Sequence, residues 1–356
     1  MAAMSAPPLA LPLPARIRSS WFATSPSAIV SAGLLLASIY LAWRAFDWAV
    51  LDAVGGTDLQ ACRAGAGAGA CWAVVLDKHR LVLFGRFPPA EQWRPFLATA
   101  LLLGGVGVAA LPRFFGRVGI SMLVAALVAF VVLVAGGVLG LTPVGTDLWG
   151  GLPLTVFLAL VACLFGVPIG MALALARRST LPVLRWLATG YIELVRGVPL
   201  VTLLFFGAFV LPLILPPGWR LDAMLRIAIC LTMFSAAYLA EVFRGGLQSV
   251  GKGQGEAAHA LGLNKLQSLG RVVLPQALRV TIASTVNIFI GAIKDTSLVM
   301  IVNLYDLTGS LKLALSDPQA RPYFVEMYLL VGTIYLALGF GLALYGRFLE
   351  QRYALK

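Results

Sequence analysis

Eight stretches of this sequence are apolar for long enough to cross a lipid bilayer, and no water-soluble fold accommodates them. A spanning helix needs about 20 predominantly apolar residues, and such runs lie at about 28–46, 96–112, 119–142, 152–176, 186–215, 223–243, 279–303 and 323–346. The second is short. The fifth is overlong, carries Pro199 and Pro212, and is read as starting with an interfacial piece. Composition agrees: 60% of the residues are hydrophobic and 12% charged, against about 25% charged in soluble domains. So few charges cannot cover a water-facing surface of this size. Because lipid offers no hydrogen bonds, every backbone group must be satisfied internally, and runs of this length specify an all-α membrane protein of about eight transmembrane helices. The 37 glycines suit close helix packing, and Gly166 with Gly170, or Gly136 with Gly140, have the small-residue spacing for it.

The 27 Lys and Arg against 15 Asp and Glu give a net charge of +12. In a soluble chain that surplus would point to nucleic acid; here the cations cluster between apolar runs, as cytoplasmic loops do, and no nucleic-acid partner is expected. With the amino terminus inside, fifteen cations (Arg16, Arg18, Arg113, Arg117, Arg177, Arg178, Arg185, Arg244, Lys252, Lys265, Arg271, Arg279, Arg347, Arg352 and Lys356) are cytoplasmic. Ten are then outside, six of them between Arg44 and Arg94, in a stretch whose length gives it little weight in this rule. The expected topology is multi-pass with both termini cytoplasmic, a cytoplasmic tail at 1–27, and a long external loop at 47–95. Arg16 and Arg18 ahead of an apolar run also fit a signal peptide, but the run passes Tyr40 without a small-residue cleavage site, so an uncleaved first span is the reading.

Four cysteines and two histidines supply no metal-ligand spacing. Cys163 and Cys230 sit within apolar runs as small core residues. Cys62 and Cys71 share the external loop, where an oxidising compartment permits a disulfide clip; two free thiols are the other reading. His79 and His259 lie in separate loops, which leaves no constellation for membrane-embedded enzyme chemistry.

The longest cytoplasmic excursion, 244–279, is the most informative segment. Glu256 opens a run of good helix formers, Gly262 is placed to end that helix in the left-handed conformation, and a second short helix at about 264–272 runs into Pro275. Two short helices joined at a glycine make a compact knob that another protein can grip. The same loop contains Gly246, four residues, then Gly251-Lys252, which mimics a phosphate-binding loop. Gly253 stands where Ser or Thr must ligate magnesium, and a spanning helix precedes the stretch where a strand should. No ATP hydrolysis by this chain is expected.

The spacing Glu256-Ala257-Ala258, three residues, Gly262, nine residues, Val272, one residue, Leu274-Pro275 resembles the EAA loop of ABC importer permeases. The resemblance extends over about 151–352, which looks like the five-span core of polar amino-acid permeases of the histidine/glutamine/arginine type. It runs from Thr155 through Tyr191-Ile192-Glu193, Glu241-Val242-Phe243-Arg244-Gly245-Gly246 and Lys294-Asp295-Thr296-Ser297 to Tyr305-Asp306-Leu307. Residues 28–150, with three extra spans, resemble the longer amino-terminal form of general L-amino-acid permeases. Gly251 stands where the family commonly has proline and Gly255 where it often has a large residue, and both loosen the approach to the coupling helix.

The resemblance implies a permease subunit of a bacterial inner-membrane, ATP-driven importer, moving amino acids inward by alternating access. It implies an ATPase dimer that holds ATP and magnesium and grips the loop, a second permease, read as a sister chain, and a periplasmic amino-acid-binding protein. Glu256, Ala257, Ala258, Gly262, Val272, Leu274 and Pro275 are the implied coupling residues, and this chain binds no cofactor itself. The alternative is a self-sufficient secondary transporter, which needs internal repeats that the two halves do not display.

Ionisable groups at membrane depth are costly and therefore functional suspects. Glu193 and Arg196, three apart on one helical face, can pair with each other, either holding the bend before Pro199 or serving in gating or substrate contact along the pathway. Lys294 and Asp295, with Thr296, Ser297 and Asn287 near them, form the second cluster. A cation and a carboxylate are what the two ends of an amino acid need, and a salt bridge between helices is the competing role.

Overall fold

The structure is a computed structural model that describes residues 24–56, 60, 62, 69–216, 218 and 221–353. Most of the expected 1–27 tail, with Arg16 and Arg18, lies outside the described residues, as do Arg63, Arg220 and Lys356. The chain divides into two compact units, Met1–Leu76 and Asp77–Lys356.

In the first unit α1 (Ser25–Phe46) starts at a capping box in which Thr24 and Ser27 satisfy each other's backbone N–H, and it continues through a π-turn at Asp47–Leu51. None of its residues is buried, which suits a helix whose solvent is lipid. Backbone bonds tie Val54 to Ala70 and Trp72 to Val54, and Cys62 and Cys71 are joined by a disulfide in the same unit.

The remaining helices are α2 (Ala73–Phe84), α3 (Trp93–Ala109), α4 (Arg117–Ala135), α5 (Gly151–Arg177), α6 (Pro182–Gly197) and α7 (Leu200–Ile214). They are followed by α8 (Ala223–Ser249), α9 (Lys252–Ala260), α10 (Lys265–Ser268), α11 (Leu274–Val280), α12 (Ile282–Asp295), α13 (Leu307–Ala314) and α14 (Phe324–Tyr353). Among the described residues six helices are long and apolar enough to span a membrane, seven if the bent pair α6–α7 counts as one span. The eighth expected run is α3, whose 17 residues lie at the short end of the range for a span.

The second unit is organised around α5 against α8. Their backbones come close because Gly166 and Gly170 face α8: a Cβ on Gly170 would lie 2.8 Å from the Leu239 Cβ and 2.9 Å from the Ala236 carbonyl oxygen. Towards the start of α5, Phe157 stacks on Phe130 of α4 at 5.0 Å, and both rings meet Trp149 edge-on.

Two expected spans differ from the sequence reading. The run at 119–142 is helical only to Ala135, and Gly136 and Gly140 are loop residues with positive φ, not a packing pair. The cause is Arg94 on α3: its fully buried guanidinium donates to the carbonyls of Leu133 at 2.7 Å, Val134 at 3.3 Å and Thr142 at 2.9 Å. Those bonds satisfy the last carbonyls of α4, and Gly136, at φ +68, turns the chain back. The run at 186–215 breaks at Val198–Pro199 with a bend of 106°. Val198, preceding proline, is extended at φ −103, ψ 134, because the proline ring disfavours the helical region before it. Pro212 takes an N–H away from the Ala208 carbonyl, and Arg226 of α8 donates to that oxygen at 2.9 Å.

Candidate functional site

The expected knob is present and its joints are locally specified. Helix α9 ends at Gly262, φ +80, where the N–H groups of Gly262 and Leu263 bond the carbonyls of His259 at 2.9 Å and Ala258 at 3.1 Å. This paired closure is the Schellman motif, which needs a residue at ease at positive φ. Asn264 then opens α10 through a capping box with Gln267, at 2.9 and 3.1 Å. A π-turn at Leu269–Val273 absorbs the N–H missing from Pro275, and α11 follows without a gap.

The implied coupling residues divide by burial. Ala258 is buried and Leu274 packs on a small core of Leu239, Phe243, Leu247 and Ala277, whereas Glu256, Ala257, Gly262 and Pro275 are exposed and Val272 is half-buried. Two leucines at the tip, Leu261 and Leu266, are 83% and 80% exposed. The knob's base is fixed: Gln276 donates to Gln254 at 3.1 Å, and Arg178 donates to the Leu247 carbonyl at 3.1 Å. Gly246 lies inside α8 against the Ala277 carbonyl oxygen, and Lys252 begins α9, so the two ends of the phosphate-loop mimic belong to separate helices.

Above the knob, Glu241 on α8 gathers three guanidinium groups. It accepts from Arg177, pairs with Arg196 at 3.6 Å and holds Arg244 at 2.7 Å. Glu193 pairs with Arg177 at 2.7 Å. Glu193 and Arg196 therefore have separate partners and not each other: helix spacing allowed the local pair, but Arg177 and Glu241 approach from α5 and α8. The result ties α5, α6 and α8 together at one end of the bundle.

The second cluster surrounds a cavity of about 290 Å³ whose polar lining is Lys294, Ser297, Thr308, Tyr328 and Tyr335. Lys294 is exposed and makes no ion pair among the described residues. An unpaired ammonium within a membrane span is tolerated only beside water or polar groups. Asn287, seven residues earlier and also exposed, shares its helix face. Asp295 is half-buried and does not line this cavity, and Thr296 is fully buried, donating to the Ile293 carbonyl at 2.8 Å.

The chain between α12 and α14, to which the sequence alone assigns no role beyond its resemblance at 305–307, completes the cavity. After a 3-10 turn at Thr296–Val302, residues 305–306 bridge in parallel to 150–151. Asp306, fully buried, caps α13 by accepting from the Gly309 N–H at 2.8 Å, while Leu307 N–H donates to Thr155 at 3.0 Å. Tyr335 of α14 donates to Asp306 at 2.9 Å and lies 3.2 Å from the Thr308 hydroxyl. Burial pushes the Asp306 carboxyl up to about 6, against the opposing pull of Gly309, Tyr335 and Thr308 hydrogen bonds and the charge of Lys312. The available signals were an Asp-x-x-Gly helix cap and a tyrosine inside an apolar run; neither says what they meet.

Residues 166–355 match the family described as the binding-protein-dependent transport system inner membrane component. The chain is 36% identical over 349 residues to the inner membrane amino-acid ABC transporter permease protein YhdY of Escherichia coli (strain K12), covering 95% of this chain and 92% of that protein. It is 34% identical to the glutamate/glutamine/aspartate/asparagine transport system permease protein BztC of Rhodobacter capsulatus, covering 89% of this chain and 88% of that one. A chain from a crystal structure of an amino acid ABC transporter with histidines superposes with a TM-score of 0.51 at 29% identity, over 57% of this chain and 92% of that one. A multi-pass helical bundle, a family match over more than half its length and near full-length relatives together establish that this chain belongs to the binding-protein-dependent inner-membrane permeases of ABC transporters, in their amino-acid branch.

Proposed function

We propose that this chain is the membrane-spanning subunit of an ATP-driven importer that moves amino acids into the cytoplasm. The observation that carries the reading is the knob at 252–275, a doubly capped helix pair that presents Leu261 and Leu266 to its surroundings. Two exposed leucines beside a rigidly capped turn offer an apolar contact to a partner, and that partner is a groove on a separate ATPase subunit that holds ATP and magnesium. Both termini are cytoplasmic, as the distribution of Lys and Arg favours, and the Cys62–Cys71 bond fits an external, oxidising side for 47–95.

Two ATPase subunits closing on ATP draw two knobs together. The ion pairs among α5, α6 and α8 make the end of the bundle above the knob move as one body. A second permease, a sister chain, completes the pathway, and a periplasmic binding protein delivers substrate. The motion is alternating access, driven by contacts that differ between the two states. Lys294, with Asn287 on the same helix and Ser297 in the turn that follows it, lines the path and takes the substrate carboxylate; Thr296 caps the end of that helix through the Ile293 carbonyl.

Purification of the tagged chain with its neighbouring subunits, followed by reconstitution, tests this. Uptake that requires ATP, the ATPase and the binding protein is expected. Uptake by this chain alone in liposomes would instead identify a secondary transporter.

A further inference from the structure

The cavity at α12, α13 and α14 has a cation on its wall but no carboxylate. An amino acid presents an ammonium as well as a carboxylate, so a second, acceptor group is needed. The direction of the hydrogen bonds behind the wall identifies it. An ionised carboxylate only accepts, so the Tyr335 proton is committed to Asp306 at 2.9 Å. The contact of 3.2 Å between the Thr308 and Tyr335 hydroxyls then has one possible direction, with Thr308 donating. Having given its single proton to Tyr335, Thr308 presents only lone pairs to the cavity it lines.

We infer that Asp306 is a positioning residue which, through Tyr335, fixes Thr308 Oγ1 as the acceptor for the α-ammonium of an amino acid whose carboxylate rests on Lys294. A chain of hydrogen bonds ending on a buried charge polarises each member, so Thr308 binds a cation better than an isolated threonine would. Donors alone would select anions, whereas a lysine facing this oriented oxygen selects zwitterions. The inference rests on the amino-acid permease reading and on Lys294 lining the path; it transfers the ammonium from Asp295, one residue from Lys294, to a different helix.

The test uses the complete complex in proteoliposomes, with ATP-driven uptake of a radiolabelled mixture of the common L-amino acids. Thr308→Val keeps the side-chain shape and removes the acceptor, so uptake should fall about tenfold or more, the size of a lost hydrogen bond to a charged group. Thr308→Ser keeps the oxygen and should stay within about twofold of the parent, a difference that a purely structural threonine would not produce. Tyr335→Phe frees the Thr308 hydroxyl to rotate and should lower uptake about threefold. Undiminished uptake in assembled Thr308→Val, with loss in Lys294→Met, overturns the relay and leaves the permease reading standing. No uptake by the parent complex overturns the permease reading itself. If Thr308→Val does not assemble, Tyr335→Phe decides, and transport equal to the parent's refutes the inference.

Discussion

Replacing Gly262 by valine separates the knob's shape from the stability of the bundle. Gly262 sits at φ +80, and a Cβ there would have nothing within 4 Å, so no clash enters the effect. What enters is backbone strain. An ordinary L-residue in the left-handed region costs about 1–2 kcal/mol, and a β-branched one lies at the upper end or beyond. If the chain relaxes instead, it loses the closures from Gly262 to His259 and from Leu263 to Ala258, each worth about 1 kcal/mol. Either route removes about 2 kcal/mol from the joint, which reduces the population of the native knob about thirtyfold against frayed alternatives. The buried core around α5 and α8 is untouched by this exposed turn. The expected result is a complex that inserts and unfolds thermally like its parent but has lost most ATP-driven uptake, whereas Gly262→Asn, a residue suited to positive φ, retains most of it. Undiminished uptake by the valine variant would refute the claim that this turn transmits force.

Arg94→Met should lower stability by about 1–3 kcal/mol, because the carbonyls of Leu133, Thr142 and buried Val134 lose their donor; an unchanged thermal midpoint of the purified protein would contradict this. Glu241→Gln leaves Arg196 and Arg244 without a counter-charge and Arg177 with only Glu193, and about 1–3 kcal/mol of stability should go with it. A thermal melt of the complex reads that loss, and a midpoint equal to the parent's would show that the cluster holds nothing together. For Asp306 the folded carboxyl titrates at about 6, above its ordinary 3.8, with Lys312 and Tyr335 as the charged and titratable groups acting on it. The folded state thus binds the proton more tightly, so this contribution to stability is full below about pH 4 and is lost as pH rises through about 6. The difference in midpoint between the parent and Asp306→Asn should therefore change across that window and be level above about pH 7; a pH-independent difference would contradict the assignment.

Much of the architecture was legible because lipid imposes it: runs of apolar residues must be helices, and the prolines at 199 and 212 marked the overlong run as irregular, though not its bend of 106°. The knob was legible because its signals are local, with Gly262, Asn264 and Pro275 each acting on the next few residues. What sequence did not disclose depends on groups from distant elements. Helix α4 stops at Ala135 because a guanidinium from α3 collects its last carbonyls. Glu193 and Arg196 face the same side of α6 but pair with Arg177 of α5 and Glu241 of α8. The cavity brings Lys294 and Ser297 from the polar cluster read in sequence to Thr308 and Tyr335, which are distant in the chain and meet only where α13 packs against α14.

The central claim is that the 252–275 knob is gripped by a separate ATPase, and cross-linking from its tip tests this most directly. Leu261→Cys, in the assembled complex treated with a short thiol-to-amine cross-linker, should yield an adduct with the ATPase subunit that changes in abundance when ATP is added. A thiol at that position that is labelled from the external side of intact cells, or that forms no adduct with the ATPase in a complex that transports, would contradict the account.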